Sequence, residues 1–335
     1  MKNPLSFLVA FALCFVLIKL LLPLLKRAKA GQEILQYVQE HKQKSGTPTM
    51  GGIAFIVAIV VCGCIFCDLS QRPVAVALAV FVAYGIVGFL DDFIKVHLRR
   101  NQGLHAYQKI LFQLAIAFTV ALFVYKQIGI GGLINIPFVQ FQVDIGFWIV
   151  PLVMFIYLAC TNGVNLTDGI DGLATSTTIC FLFGMILLLK NELVVADSVG
   201  DIYAYKQIQQ IITLCYLSCG ALLAFLLFNS YNAKVFMGDT GSLFFGALVI
   251  GGSFVAKAPL IGILLSGVFI IEMLSSFLQT GFFKLTRKLC GKGKRIFRMA
   301  PLHHHFEKGG WNEYRIVAVF SFAELLFCIA AWFAR

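Results

Sequence analysis

The sequence predicts an all-α polytopic membrane protein: one domain over residues 1–335, about ten transmembrane helices, both termini outside and a polar site on the cytoplasmic face. Composition is the first reason. Hydrophobic residues make up 59% of the chain and charged ones 13%, with a mean hydropathy of +0.87, whereas a soluble domain is roughly 45–50% apolar. The second is a series of apolar stretches close to the ~17–25 residues that cross the hydrocarbon layer as a helix. The third is an unequal division of Lys and Arg between alternate loops.

The stretches are Leu5–Leu25, Gly51–Cys67, Val74–Leu90, Ile110–Tyr125, Phe147–Cys160, Leu173–Leu189, Ile211–Phe228, Ser242–Ala256, Leu260–Phe283 and Ile316–Phe333. Each is read as a helix because a helix satisfies its own backbone hydrogen bonds in lipid. The first imitates a secretion signal, with Lys2 before it and Ala28-Lys29-Ala30 after it. Its length exceeds the usual ~7–15 residue signal core, and Lys26 and Arg27 behind it mark a membrane anchor instead. Between the fourth and fifth stretches, the glycines of Gln127–Gly146 and the alternation over Phe138–Val143 predict a short hairpin. Glu272 and Glu324 lie inside spans, where a carboxylate is costly, so both are expected to face the bundle interior or a partner subunit in a structural role.

If loops alternate sides, Lys26, Arg27, Lys42, Lys44, Lys95, Arg99, Lys109, Lys234 and the dense 284–315 segment share one face, with a minority of basic residues opposite. The rich face is cytoplasmic by the positive-inside tendency. Five motif aspartates fall on that same face, although their positions did not enter the assignment. The net charge of +11 sits mainly in these loops, where it attracts lipid headgroups and an anionic substrate. Nucleic acid is excluded as a partner, because no soluble basic domain is present. Most of the ten cysteines lie in spans as small hydrophobes. Cys62, Cys64 and Cys67 are spaced to point from different helix faces, which argues against a shared metal.

The chemistry is carried by short polar motifs at span ends. In Asp91-Asp92-Phe-Ile-Lys95, helical spacing lets the lysine meet the carboxylates on one face. A salt bridge at a helix end is the plain alternative, but adjacent carboxylates at a membrane boundary repel unless a cation lies between them. Lys109 extends the positive side, as phosphate handling requires. In Asn165-Leu-Thr-Asp168-Gly169-Ile-Asp171-Gly, Asp168 has the pattern of a helix cap with Asp171 as a first-turn acid. The further polar atoms and the glycines fit a ligand approaching the backbone instead. In Phe236-Met-Gly-Asp239-Thr-Gly, a lone carboxylate between glycines suits magnesium, which takes one or two carboxylates plus waters and substrate phosphates. Phe236 either stacks on a planar ring or packs in the core. His303-His304-His305 diverge too much to ligate one ion together, yet imidazoles can donate to phosphate or move protons near neutral pH. Carboxylates for magnesium, lysines, histidines and glycine turns at a membrane face describe a site for a diphosphate with a lipid reactant.

At these residues, and at Ser45-Gly-Thr-Pro-Thr-Met-Gly-Gly52 and Pro301–Glu307, the chain resembles the polyprenyl-phosphate N-acetylhexosamine-1-phosphate transferase superfamily. The Gly46–Gly52 stretch and the triple histidine resemble its phospho-N-acetylmuramoyl-pentapeptide transferase branch. The resemblance implies a dimeric, ten-helix transferase of the bacterial inner membrane. Such an enzyme moves phospho-N-acetylmuramoyl-pentapeptide from its UDP carrier to undecaprenyl phosphate, releases UMP and forms lipid I for peptidoglycan and cell-wall synthesis. It implies that Asp239 binds Mg2+ and that Asp91 and Asp92 are essential, deprotonating or orienting the lipid phosphate. Lys44, Thr49, Asn165, Asp168, Gly169, Asp171 and Phe236 match positions that line the nucleotide pocket, and His303, His304 and His305 match a motif near the sugar and diphosphate. Two residues depart from the family pattern: Asn232 stands where many relatives have proline, and Arg99 where lysine is common. Transfer from UDP-N-acetylglucosamine is the alternative within enzymes. An ion-coupled transporter is the alternative outside them, although transporter sites gather near the membrane midplane.

Overall fold

The computed structural model describes residues 2–28, 46–98, 102–126, 131–139, 141–255 and 259–334. Lys44 and Arg99 lie outside these residues. Ahead of the first break in the helical pattern come α1 (Lys2–Arg27), α2 (Gly52–Phe66), α3 (Arg72–His97) and α4 (Ala106–Lys126). After a hairpin of β1 (Leu133–Ile136) and β2 (Phe141–Asp144) follow α5 (Ile149–Thr167), α6 (Leu173–Ser198), α7 (Ile202–Asn229) and α8 (Gly238–Val255). The chain ends with α9 (Pro259–Leu265), α10 (Gly267–Cys290), the short α11 (Leu302–Glu307) and α12 (Glu313–Phe333).

Each predicted span overlaps helix, and among the described residues eight helices are long and apolar enough to cross a membrane, with Gly52–Phe66 shorter. The protein is a multi-pass membrane protein. Leu8, Val16, Leu20 and Leu24 of α1 are exposed, whereas Ser6, Ala10, Cys14 and Ile18 form its buried stripe. In water that distribution would be a liability; toward lipid the exposed apolar side is the expected one. The expected Leu260–Phe283 span is broken at Ser266 into α9 and α10. Glu324 of α12 reaches this break, where its Oε2 accepts the Val268 N–H at 3.1 Å. A carboxylate at a helix N-terminus satisfies an orphan donor there. The hairpin is also as expected, with Leu133 opposite Asp144 and Ile136 opposite Phe141. Cys62 and Cys67 are buried while Cys64 is exposed, so the three do share no ligand face.

The organising element is α8, which touches α2, α3, α5, α6, α7 and α9. Every residue from Thr240 to Ser253 is buried, as for a helix apolar on all sides. Association in lipid relies on close packing, and small residues provide it. A Cβ on Gly52 would lie 2.6 Å from the Gly241 backbone, and one on Gly88 of α3 would strike the Asp239 carbonyl. That contact presses the end of α3, with its two aspartates, against the start of α8.

Gly88→Ala is therefore expected to cost about 1–3 kcal/mol through overpacking and to lower the melting temperature in detergent. Gly281→Ala, whose added methyl meets nothing within 4 Å, is the control expected to melt like wild type.

Candidate active site

Asp91 and Asp92 occupy the last turns of α3, and Asp239 the first turn of α8. Helix α3 brings Lys95 back over its own carboxylates: its Nζ lies 2.6 Å from Asp91 Oδ2 and 3.9 Å from Asp92 Oδ1. The same ammonium reaches Asp239 Oδ2 at 2.6 Å, joining two segments far apart in sequence. Lys109, from the first turns of α4, approaches the same oxygen at 3.2 Å. Asn165 of α5 donates to the other oxygen of Asp239 at 2.5 Å and to Ser242 Oγ at 2.8 Å. Three helix ends, those of α3, α4 and α5, thus converge on one carboxylate at the start of α8.

The two neighbouring aspartates do different work. Asp91 Oδ1 accepts the Leu104 N–H at 2.8 Å, which ties the loop between α3 and α4 to the site. Asp92 Oδ2 accepts both the backbone N–H (2.8 Å) and the hydroxyl (2.7 Å) of Thr240. Asp92 is therefore an N-terminal cap for α8, supplied by another helix. Sequence reasoning missed this role, because local capping patterns do not reveal a partner 148 residues away. Thr49 is buried beside it: a Cβ on Gly238 would come within 2.7 Å of Thr49 Oγ1 and also meet the Asp92 carboxylate. The Gly46–Gly52 stretch is held there by the backbone, with Phe236 N–H donating to Pro48 O (2.9 Å), and Gly51 N–H to Phe236 O (2.8 Å). The Phe236 ring is half-buried.

The helix-capping alternative for the second motif does not hold. Asp168 follows the end of α5, and α6 is preceded by Gly172 at φ +74° with no side-chain cap. Burial first, and then the charges of Asp239, Asp92 and Asp171, push the Asp168 carboxyl well above its ordinary range. Asp171 instead accepts the Ala233 N–H at 3.0 Å, fastening this loop to the turn before α8. That turn holds Asn232 at φ +58°, a left-handed conformation that asparagine tolerates and proline cannot adopt.

His303 is fully buried. Its backbone N–H donates to Glu272 Oε1 at 3.1 Å, and its Nδ1 lies 2.9 Å from Glu272 Oε2. Burial pulls the imidazole below its ordinary range, with Glu272 opposing. On its other edge the ring packs against Gly169, where a Cβ would strike Nε2. Glu272, expected to face the bundle interior in a structural role, thus meets a residue of the histidine motif. The available signal was the acid itself, since a carboxylate inside an apolar span requires a partner. His304 pairs with Glu307 at 2.8 Å, and His305 Nδ1 accepts the Arg298 N–H at 3.1 Å. Both make these contacts within their own segment rather than with the aspartates.

The cluster can hold a metal ion: Asp91, Asp92 and Asp239 each offer an oxygen, all within 4.8 Å of one another. An all-carboxylate donor set suits a hard cation such as magnesium rather than zinc, which favours nitrogen and sulfur. Charge supports the same fit. Asp91, Asp92 and Asp239 face only Lys95 and Lys109 among the described residues, leaving a formal negative excess for a cation to neutralise.

Comparison with known proteins adds the family. The profile of Glycosyl transferase family 4 matches residues 74–257, and phospho-N-acetylmuramoyl-pentapeptide-transferase signature 1 matches residues 44–56. A phospho-N-acetylmuramoyl-pentapeptide-transferase of Clostridium novyi (strain NT) is 41% identical over 325 residues, 97% of this chain and 94% of the relative. Its namesake in Clostridium perfringens (strain 13 / Type A) is 41% identical over 99% of this chain and 98% of its own length. That of Clostridioides difficile (strain 630) is 39% identical over 97% and 94%. With identity of this level along nearly the whole length and both motif regions matched, the chain belongs to glycosyl transferase family 4 and to its phospho-N-acetylmuramoyl-pentapeptide transferases.

Proposed function

We propose that this protein transfers phospho-N-acetylmuramoyl-pentapeptide from UDP to undecaprenyl phosphate, releasing UMP and forming lipid I. The reading carries with it a single domain of ten spans over residues 1–335 in the bacterial inner membrane, termini outside, the site at the cytoplasmic face, and a homodimeric assembly. One observation supports it most: three carboxylates within 4.8 Å of one another, bridged by Lys95, in a chain that matches these transferases end to end.

Phosphoryl transfer needs mainly positioning and charge neutralisation. Magnesium held by Asp239, with Asp91 and Asp92 beside it, would neutralise charge on the donor's diphosphate. Asn165 fixes the orientation of Asp239, and Lys95 and Lys109 are placed to turn from Asp239 toward phosphate oxygens. Asp92, engaged by Thr240, keeps α8 docked, and Asp91 would take the proton of the lipid phosphate once Lys95 turns to the incoming phosphate. An acceptor oxygen then attacks the sugar-linked phosphorus; the bond to the uridylate oxygen breaks and its electron pair leaves with UMP. On this reading Thr49, Asn165, Asp168, Gly169, Asp171 and Phe236 line the nucleotide pocket and His303 to His305 serve the sugar and diphosphate; Lys44, a further candidate for the nucleotide, lies outside the described residues.

Purified protein given undecaprenyl phosphate and the UDP-linked muramoyl-pentapeptide should release UMP only with Mg2+. Asp239→Asn should lower the rate by a factor on the order of 10² or more, the usual size for loss of one electrostatic group at the reacting centre. Turnover that survives chelation would remove the metal from the mechanism, and turnover of UDP-N-acetylglucosamine instead would change the substrate. Direct attack predicts no labelled protein when the donor is supplied without lipid; a phosphorylated aspartate under those conditions would establish a two-step path.

A further inference from the structure

His303 has one edge accounted for and one not. Glu272 takes both its backbone N–H and its Nδ1, whereas Nε2 is buried with no hydrogen-bond partner among the described residues. Buried ring nitrogens in native proteins are almost always paired, so an orphan signals a partner supplied from elsewhere. The orphan is directed at Gly169, in the turn between α5 and α6 that also carries Asp168 and Asp171. Gly169 is itself exposed, so one residue without a side chain separates the buried nitrogen from the site.

The carboxylate decides which nitrogen carries the proton. An ionised Glu272 only accepts, so Nδ1 must be the N–H, and in the neutral ring Nε2 is then a bare acceptor. Burial favours the neutral ring, with Glu272 opposing. We infer that Glu272 is a positioning residue, which locks His303 in the Nδ1–H form so that Nε2 accepts a hydrogen bond from an N–H or O–H group of the nucleotide-sugar donor at the Gly169 turn. This rests on the proposed transferase reading and adds a determinant to it. Glu272 itself touches no substrate.

Isosteric replacement separates this role from a structural one. In Glu272→Gln the amide fills the same space, but its NH2 donates to Nδ1 and moves the ring proton to Nε2, turning the acceptor into a donor. Glu272→Asp keeps the acceptor with a shorter arm. If Glu272 acts through the His303 tautomer, Glu272→Gln should melt like wild type yet lose roughly 10- to 100-fold in kcat/KM, about one buried hydrogen bond, and Glu272→Asp should recover part of it. The loss should also vanish in a His303→Asn background, where no tautomer remains to be set. A purely structural residue gives the opposite order, with Glu272→Gln tolerated, Glu272→Asp lowering the melting temperature, and losses that multiply with His303→Asn; that pattern would overturn the inference. Wild-type protein assayed alongside reports separately on the transferase reading, because absence of UMP release there would defeat that reading and not the tautomer assignment.

Discussion

Like charges held together at the end of a buried helix pair are the constraint on which the molecule depends. At an effective dielectric of ~20, two carboxylate oxygens 4.8 Å apart repel by roughly 3–4 kcal/mol. Three such pairs approach the ~5–15 kcal/mol that a whole domain has to spare. The cluster persists because cations answer it: Lys95 lies between Asp91 and Asp239, and Lys109 beside Asp239. The same imbalance makes the place attractive to magnesium and to a diphosphate whose phosphates can take over the lysines. On the proposed function, folding and catalysis share one electrostatic arrangement.

Helix packing creates that arrangement. Gly88 lets α3 approach the first turn of α8, and Asp92 fixes the approach by capping Thr240. Gly52 against Gly241 does the same for the Gly46–Gly52 stretch, and Asp171 with Ala233 ties the turn after α5 to the turn before α8. Each polar motif thus has one group in the packing and another directed at the site. Glu272 and Glu324 extend this logic into the bundle, where each buried carboxylate satisfies backbone donors of a neighbouring segment.

Much of this was legible in the chain itself. Apolar length located the helices, and the i+4 spacing of Asp91 and Lys95 foretold their 2.6 Å contact. The hairpin near Phe138 and the interior placement of Glu272 and Glu324 followed from alternation and from the cost of charge in lipid. What escaped was nonlocal. The reach of Asp92 to Thr240 crosses 148 positions, and that of Glu272 to His303 crosses 31. The plain alternative weighed for Asp168, a cap on α6, falls because Gly172 occupies that place in a left-handed conformation. The break at Ser266 was also missed: Ser266-Gly267 is a local sign of a kink within the apolar run, and the partner that caps the new start, Glu324, lies on another helix.

The proposed chemistry requires one divalent cation where α3 meets α8. Anomalous diffraction from crystals grown with Mn2+ in place of Mg2+ measures this directly. A single strong peak about 2.0–2.3 Å from an Asp239 oxygen, with Asp91 and Asp92 around it, is the predicted result. A fully ordered site without that peak, or a peak at a distance from all three carboxylates, would contradict it.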